Sequence, residues 1–430
     1  MSKAFLIAAP WSNSGKTTLT LGMLRWFLNQ GYRVQPFKCG PDYIDTIHHS
    51  TAARKIAINL DTIMMPEDHM VDTFSKYQQE ADISIVEGVM GLFDGAVKDQ
   101  GSSAAIAKSL NIPVILVVNA SSMAYTIAPI LHGLKTFDPE VKIAGVIFNF
   151  VKTESHYAFL KEACDTVGIP SLGYIPPNDE ISIPSRHLGL HIDQTFENVI
   201  EKAASHISEH ISLPEILEYT NDYQKKYQNS PTIKSETKKY KIAIAKDEAF
   251  SFTYQENLKW LENIGEVIYF SPMRDTKLPE VDCIYLAGGY PELYLQELSQ
   301  NTAMHIQIKD AADKGVKIYA ECGGMMYLGK EIIDEKGIGY KMVTIFPFIT
   351  SMENKKLSLG YRKVVFNNTE IWGHEFHYSQ IMNDDTVPTI GQIYSAREKE
   401  VSTKIYTYKD VYASYIHLYW AALKQEEICI

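Results

Sequence analysis

The chain has 430 residues, 45% hydrophobic and 22% charged, the balance of a globular protein of about two or three domains. Its 41 Lys+Arg against 52 Asp+Glu leave a net charge of −11, which argues against the basic face that nucleic-acid binding needs. Cys39, Cys164, Cys283, Cys322 and Cys429 are odd in number, widely spaced and without a C-x-x-C pair. That excludes a disulfide framework and a cysteine zinc site, and it predicts a reducing cytoplasm. A strand-like run opens the chain with no signal peptide before it, and the longest apolar run, around Val114–Val118, is too short to span a membrane.

The first half alternates short apolar runs with helical patterns. Ala4–Ala9, Ile83–Val86, Val114–Val118 and Ile143–Phe148 predict buried strands of a parallel sheet covered by helices on both faces. Lys16–Gln30 has helical periodicity and stops at Gly31, a residue suited to the position after a helix.

Between the first strand and that helix stands Ala9-Pro10-Trp11-Ser12-Asn13-Ser14-Gly15-Lys16-Thr17-Thr18. Its end reads as a P-loop. Backbone N–H groups of Ser12 to Thr18 and the helix N-terminus would hold phosphates, Lys16 would reach the β/γ oxygens, and the Thr17 hydroxyl would ligate Mg²⁺. Pro10 stands where the strict pattern has its first glycine; the alternative is a tight turn carrying a surface lysine. Phe37–Asp45 and Glu87–Gly95 each place carboxylates just past a strand, where they suit a metal beside a P-loop. Glu87 reads best as a site residue, and Asp94-Gly95 as a local turn.

Tyr219–Lys239 is rich in Asn, Gln, Lys, Ser and Thr and reads as a linker. The predicted division is 1–215, a linker 216–239, and 240–430. After the linker a second α/β pattern begins, with strands at Lys241–Ala245, Glu266–Phe270, Cys283–Leu286 and Lys317–Ala320. Ile338–Tyr419 alternates and is aromatic, which suits antiparallel strands.

Lys317–Gly329 reads as strand, sharp turn and helix with Cys322 at the turn, the geometry of a nucleophile elbow. A helix N-terminus favours the thiolate. Gly288-Gly289 after another strand offer N–H groups for an oxyanion hole, as does Gly323. The base is one of His417, His374 and His377; a buried, hydrogen-bonded histidine is the plain alternative for each.

In this order, Phe37–Asp45, Glu87–Gly95, Ser185–Leu190, Leu286–Glu292, Glu321–Gly324, Gly373–Ser379 and Ser414–Leu418 resemble the glutamine-dependent amidotransferases of corrinoid biosynthesis, the cobyrinic acid a,c-diamide synthase family. The resemblance implies a P-loop synthetase domain followed by a class I-like glutamine amidotransferase domain. It implies ATP- and Mg²⁺-dependent amidation of the a and c carboxylates of a tetrapyrrole-derived macrocycle through acyl phosphates. Ammonia would come from glutamine hydrolysed at Cys322 with His417 as base. The N-terminal half also resembles dethiobiotin synthetase. By that match Thr17, Asp45 and Glu87 hold the metal, and Asn149 lies at the adenine. Lys38, Asp42, Tyr43, Arg186, His187, His374 and His377 would serve the polycarboxylate substrate.

Class I glutaminases carry a Glu two residues after the histidine; here Tyr419 stands there, so the expectation is a Cys322–His417 dyad oriented by another group. The macrocycle is cobyrinic acid or, alternatively, Ni-sirohydrochlorin of the coenzyme F430 route. A different class of reading is a regulatory P-loop ATPase with a non-catalytic scaffold, which leaves Cys322 unused. The expected assembly is a soluble cytoplasmic protein, with a homodimer as one form.

Overall fold

The computed structural model describes residues 2–183, 194–223, 240–366 and 369–423. The chain divides into two compact units, Met1–Ser230 and Pro231–Ile430. Among the described residues no helix is long and apolar enough to cross a membrane.

The first unit is built on strands β1 (Lys3–Ala8), β2 (Val34–Cys39), β3 (Ile58–Leu60), β4 (Ile83–Glu87), β5 (Val114–Asn119), β6 (Ile143–Asn149) and β7 (Ser171–Ile175). Their spatial order is β3-β2-β4-β1-β5-β6-β7, all parallel. The central strands are buried along nearly their whole length, because helices cover both faces; hence their continuous aliphatic runs. β3 and β7 had no such signal, since edge strands are short or half-exposed. The strand order reverses at β1, between β4 and β5. In a parallel sheet that crevice, beyond the strand C-termini, is where ligands bind, and the loop leaving β1 is the P-loop.

Helix Lys16–Asn29 begins after Gly15, whose φ of 88° is left-handed, a conformation that suits glycine. Helix Gln194–His210 packs on it so closely that a Cβ at Gly22 would lie 2.3 Å from Ile207 Cδ1. Arg25, fully buried, ties three elements together. Its Nε and Nη2 donate to the carbonyls of Ala52 and Thr51 at the end of helix Ile44–Ala53, each at 2.9 Å. Its Nη1 pairs with Glu197 and Glu201 at 2.8 and 2.5 Å.

The expected linker start at residue 216 needs correction. Leu213 and Ile216 are buried in the first unit's core, and β8 (Asn221–Asp222) pairs antiparallel with β1. Apolar burial and backbone pairing thus hold this segment in the first unit. Residues 224–239 lie outside the described residues.

The second unit carries a sheet in the order β10-β9-β11-β12-β22-β21-β19. Its parallel part is β9 (Tyr240–Ala245), β10 (Gly265–Phe270), β11 (Cys283–Leu286), β12 (Lys317–Glu321) and, from the tail, β22 (Val411–Ser414). Between β12 and β22 the chain forms β13 (Glu331–Ile333), β14 (Gly339–Lys341), β15 (Ile349–Ser351), β16 (Ser358–Phe366), β17 (Thr369–His377), β18 (Gln380–Met382), β19 (Thr389–Ile390), β20 (Gln392–Ser395) and β21 (Ile405–Tyr408). The last described strand is β23 (Ile416–Leu418). It joins the antiparallel sheet β20-β16-β17-β23, whose register sets His374 opposite His417.

Candidate functional site

Each unit carries a site. In the first, Ser12, Asn13, Ser14, Gly15, Lys16, Thr17, Thr18, Lys38, Asp42, Asp45, Glu87 and Asn149 line one cavity of about 580 Å³. These sequence-predicted residues come from the loop after β1 and the start of the helix it opens, from the end of β2 with the loop and helix after it, and from the ends of β4 and β6. The Asn149 side chain donates to Ser14 O at 3.0 Å, and a Cβ at Gly15 would lie 2.1 Å from its Nδ2. Asn149 therefore braces the loop as well as lining the cavity. The Ser14 hydroxyl donates to Trp11 O at 3.0 Å and Asn13 takes a positive φ of 61°; the loop forms its turn without the usual first glycine.

Beneath the loop lies a buried charged cluster. The Thr17 hydroxyl donates to Glu87 Oε1 at 2.8 Å. Lys38 Nζ lies 2.8 Å from that oxygen and 2.6 Å from Asp45 Oδ2. His49 Nε2 is 2.6 Å from Glu87 Oε2. Burial by itself raises the Glu87 carboxyl, but Lys38 and His49 outweigh it and hold the group well below the carboxylate range. Burial likewise opposes the Lys38 charge, and Asp45 and Glu87 more than restore it. Lys16 Nζ donates to Met90 O at 2.7 Å; its pKa is lowered by burial, against the pull of Glu87.

Thr17 Oγ1, Asp45 and Glu87 offer the hard oxygen atoms that Mg²⁺ takes, and in this structure the Lys38 ammonium lies between the two carboxylates. Lys38, expected among the substrate contacts, lines the cavity and pairs with Asp45 and Glu87. Asp42 accepts from the backbone N–H groups of Ile44 and Asp45 at 3.0 and 2.9 Å, so it starts the helix that presents Asp45. Tyr43 is buried beside it. Asp94 accepts from Gly91 N–H at 3.0 Å, a local turn. Arg186 and His187 lie outside the described residues. Sequence reading missed His49 and the Ile175–Ile183 wall of the cavity; a helical histidine and a Pro-Pro loop carry no distinguishing pattern.

In the second unit Cys322 sits between β12 and helix Gly323–Leu328 with φ 46° and ψ −106°, a strained backbone for a side-chain-bearing residue. The surrounding glycines leave no free space for a side chain. A Cβ at Gly324 would lie 2.3 Å from Leu286 O, one at Gly323 2.9 Å from Gly289 O, and one at Gly289 2.0 Å from Ala249 O. A Cβ at Gly288 would meet His417 Cε1 at 2.2 Å. The structure thereby brings Gly288, Gly289, Gly323, Cys322 and His417 together. Cys322 Sγ lies 3.8 Å from Phe376 O. Burial, and then the charge of Glu292, raise the thiol's pKa; the thiolate needs a proton acceptor beside it. Burial pushes Glu292 itself up to about 7.

His374 and His377, expected at the substrate, both lie in this unit. The His374 ring stacks on His417, with centroids 4.8 Å apart and planes at 14°, and its Nδ1 is 2.7 Å from the Tyr254 hydroxyl. Burial, His417 and Arg362 lower its pKa well below the ordinary value, so it stays neutral. His377 stacks on Tyr415 at 3.5 Å and its Nε2 is 2.8 Å from Glu375 Oε1. Tyr419 packs against Tyr254, with ring centroids 5.5 Å apart.

A strand–loop–helix turn over buried carboxylates in one unit, and a cysteine at a sharp strand-to-helix turn in the other, agree with the relatives of this chain. Residues 5–190 match the CobQ/CobB/MinD/ParA nucleotide binding domain. Residues 241–424 match the CobB/CobQ-like glutamine amidotransferase domain. A protein of Caldanaerobacter subterraneus subsp. tengcongensis named cobyrinate a,c-diamide synthase is 40% identical, covering 97% of this chain and 95% of its own. Proteins of that name from Streptococcus sanguinis and Listeria innocua are each 38% identical, covering 97% and 96% of this chain and 96% of their own. With such likeness running through both units, the chain belongs to the cobyrinate a,c-diamide synthase family.

Proposed function

We propose that this chain amidates the a and c side-chain carboxylates of cobyrinic acid, with ATP as activator and glutamine as nitrogen donor. The observation that carries the reading is the pairing, in one chain, of a strained Cys322 elbow against His417 with a P-loop cavity over Thr17, Asp45 and Glu87.

At the second unit His417 takes the thiol proton and Cys322 sulfur attacks the glutamine side-chain amide. N–H groups of the Gly288-Gly289 and Gly323 segments hold the developing oxyanion. The proton passes to the leaving nitrogen, ammonia departs, and water releases glutamate from the thioester. At the first unit a substrate carboxylate, already ionised, attacks the γ-phosphorus of ATP and expels ADP. Lys16 and the loop N–H groups stabilise charge on the phosphoryl group. Mg²⁺, held by Thr17, Asp45 and Glu87, would supply further charge neutralisation when bound. Ammonia then attacks the acyl phosphate carbon, and phosphate leaves.

The test incubates purified protein with ATP, Mg²⁺, glutamine and either cobyrinic acid or Ni-sirohydrochlorin, and follows product mass. Two carboxylate-to-amide conversions on cobyrinic acid support the proposal. Conversion of Ni-sirohydrochlorin alone moves the activity to that macrocycle. No conversion of either, with glutamate and ADP still released, sends the search to another acceptor.

A further inference from the structure

We propose that Glu321, the residue immediately before the nucleophile, is the positioning carboxylate of the glutaminase site and does for His417 what the position now held by Tyr419 cannot. The inference rests on the glutaminase reading of Cys322 and His417 and extends it.

Glu321 ends β12 and is almost fully buried, as is His417. Its Oε2 lies 3.6 Å from His417 Nδ1, within ion-pair range and beyond hydrogen-bond length. Two further contacts aim the carboxylate. Oε1 accepts the Leu418 N–H at 2.9 Å, from the residue after His417. Oε2 accepts the Tyr285 hydroxyl at 2.8 Å. An ionised carboxylate has about four lone-pair sites, so Oε2 keeps room for an imidazole N–H. The Leu418 contact matters most: it ties the Glu321 side chain to the backbone that carries the histidine.

The consequence is a defined tautomer. With Nδ1–H directed at Glu321, Nε2 holds the lone pair that accepts the Cys322 proton, and the imidazolium then formed sits against a negative charge. The titratable and charged groups around the pair act consistently. Tyr285 donates to the carboxylate and Tyr319 lies beside it; burial together with Glu321 raises both phenols, so both stay neutral. His374 stacks on the His417 ring, and burial, His417 and Arg362 keep it neutral. Tyr419 is turned to Tyr254 instead.

The test compares wild type, Glu321→Gln and Glu321→Asp. The glutamine variant keeps the shape and an acceptor for Leu418 but loses the charge. Its kcat for glutamine hydrolysis is expected to fall by about 10²- to 10⁴-fold, the upper figure being the cost of the equivalent Asp→Asn change behind a serine-protease histidine. KM for glutamine should hold, and amidation from free ammonia should stay near wild type, which also reports intact folding. The pH midpoint for iodoacetamide alkylation of Cys322, read on its own peptide by mass, should move in Glu321→Gln, which removes a charge that bears on both the thiol and His417, and stay near wild type in Glu321→Asp. Unchanged glutamine kcat in Glu321→Gln overturns the inference. So does a loss of kcat with no movement of the alkylation midpoint, because a purely structural role predicts that. If wild type hydrolyses no glutamine, the glutaminase reading itself falls; if wild type is active, only the role of Glu321 is at stake.

Discussion

Replacing Gly288 by alanine should disable glutamine hydrolysis while leaving the rest of the chain working. Gly288 is not in the left-handed region, so alanine meets no backbone penalty there; the conflict is purely one of space. The new Cβ would stand 2.2 Å from His417 Cε1, 2.9 Å from Nδ1 and 3.2 Å from Nε2. Ordinary contact begins at 3.4 Å, so the ring, or the loop opposite it, has to withdraw by about 1.2 Å. A displacement of about 1 Å in a catalytic constellation costs about 10²-fold in rate, or about 2.7 kcal/mol on the barrier. His417 has little room to yield, because His374 stacks on its face and β23 is paired with β17. The assay is glutamate release at saturating glutamine, set beside ATP-dependent amidation from ammonium. Gly133→Ala is the control: nothing lies within 4 Å of its Cβ, and in a helix interior it should be neutral or stabilising by up to about 1 kcal/mol. Wild-type glutaminase turnover in Gly288→Ala, with the protein folded, would refute the argument that His417 works against this loop.

Cys322→Ala should abolish glutamine-dependent amidation and spare the ammonia-dependent reaction; loss of both in a folded variant would contradict the division of labour between the units. Glu375 accepts from Arg362 Nε at 2.6 Å and Thr403 Oγ1 at 2.9 Å and lies 2.8 Å from His377 Nε2, so Glu375→Gln should cost about 3 kcal/mol of stability at neutral pH. Burial raises this carboxyl, but His377 and Arg362 outweigh it and lower it below its ordinary 4.5. A carboxyl lowered on folding contributes fully above its unfolded pKa and loses that contribution as pH falls through the folded one. The gap between wild type and Glu375→Gln should therefore narrow as pH drops below 4.5, measured by urea unfolding across pH. Arg25→Lys keeps the charge but lacks the fork that reaches Thr51 O and Ala52 O together; denaturant unfolding should show a loss of about 2–4 kcal/mol, and an unchanged midpoint would mean that the two carbonyls find other donors.

Much of this protein was legible from local pattern alone. Continuous aliphatic runs marked the buried strands β1, β4, β5 and β6, because a strand covered on both faces has no polar side to show. The P-loop and the cysteine elbow were readable for a related reason: each needs small residues and a sharp turn over a few consecutive positions. Composition marked the change of unit, but it set the end of the first unit too early, since β8 is held by its pairing with β1 and two residues carry no periodicity.

The amino-acid sequence by itself therefore determined the two α/β units, the turn that carries Thr17, the strand end that carries Glu87, and the Cys322 elbow, the last three each encoded within a dozen neighbouring residues. The tertiary structure decided which partners those features meet. Lys38, expected at the substrate, meets Asp45 and Glu87. His374, one of three candidate bases, stacks on His417. Tyr419 left the place of the orienting carboxylate empty in the linear pattern, while Glu321, nearly a hundred positions upstream, lies 3.6 Å from the same imidazole. Such pairings depend on strand register and on which charges burial forces together, and spacing along the chain carries neither.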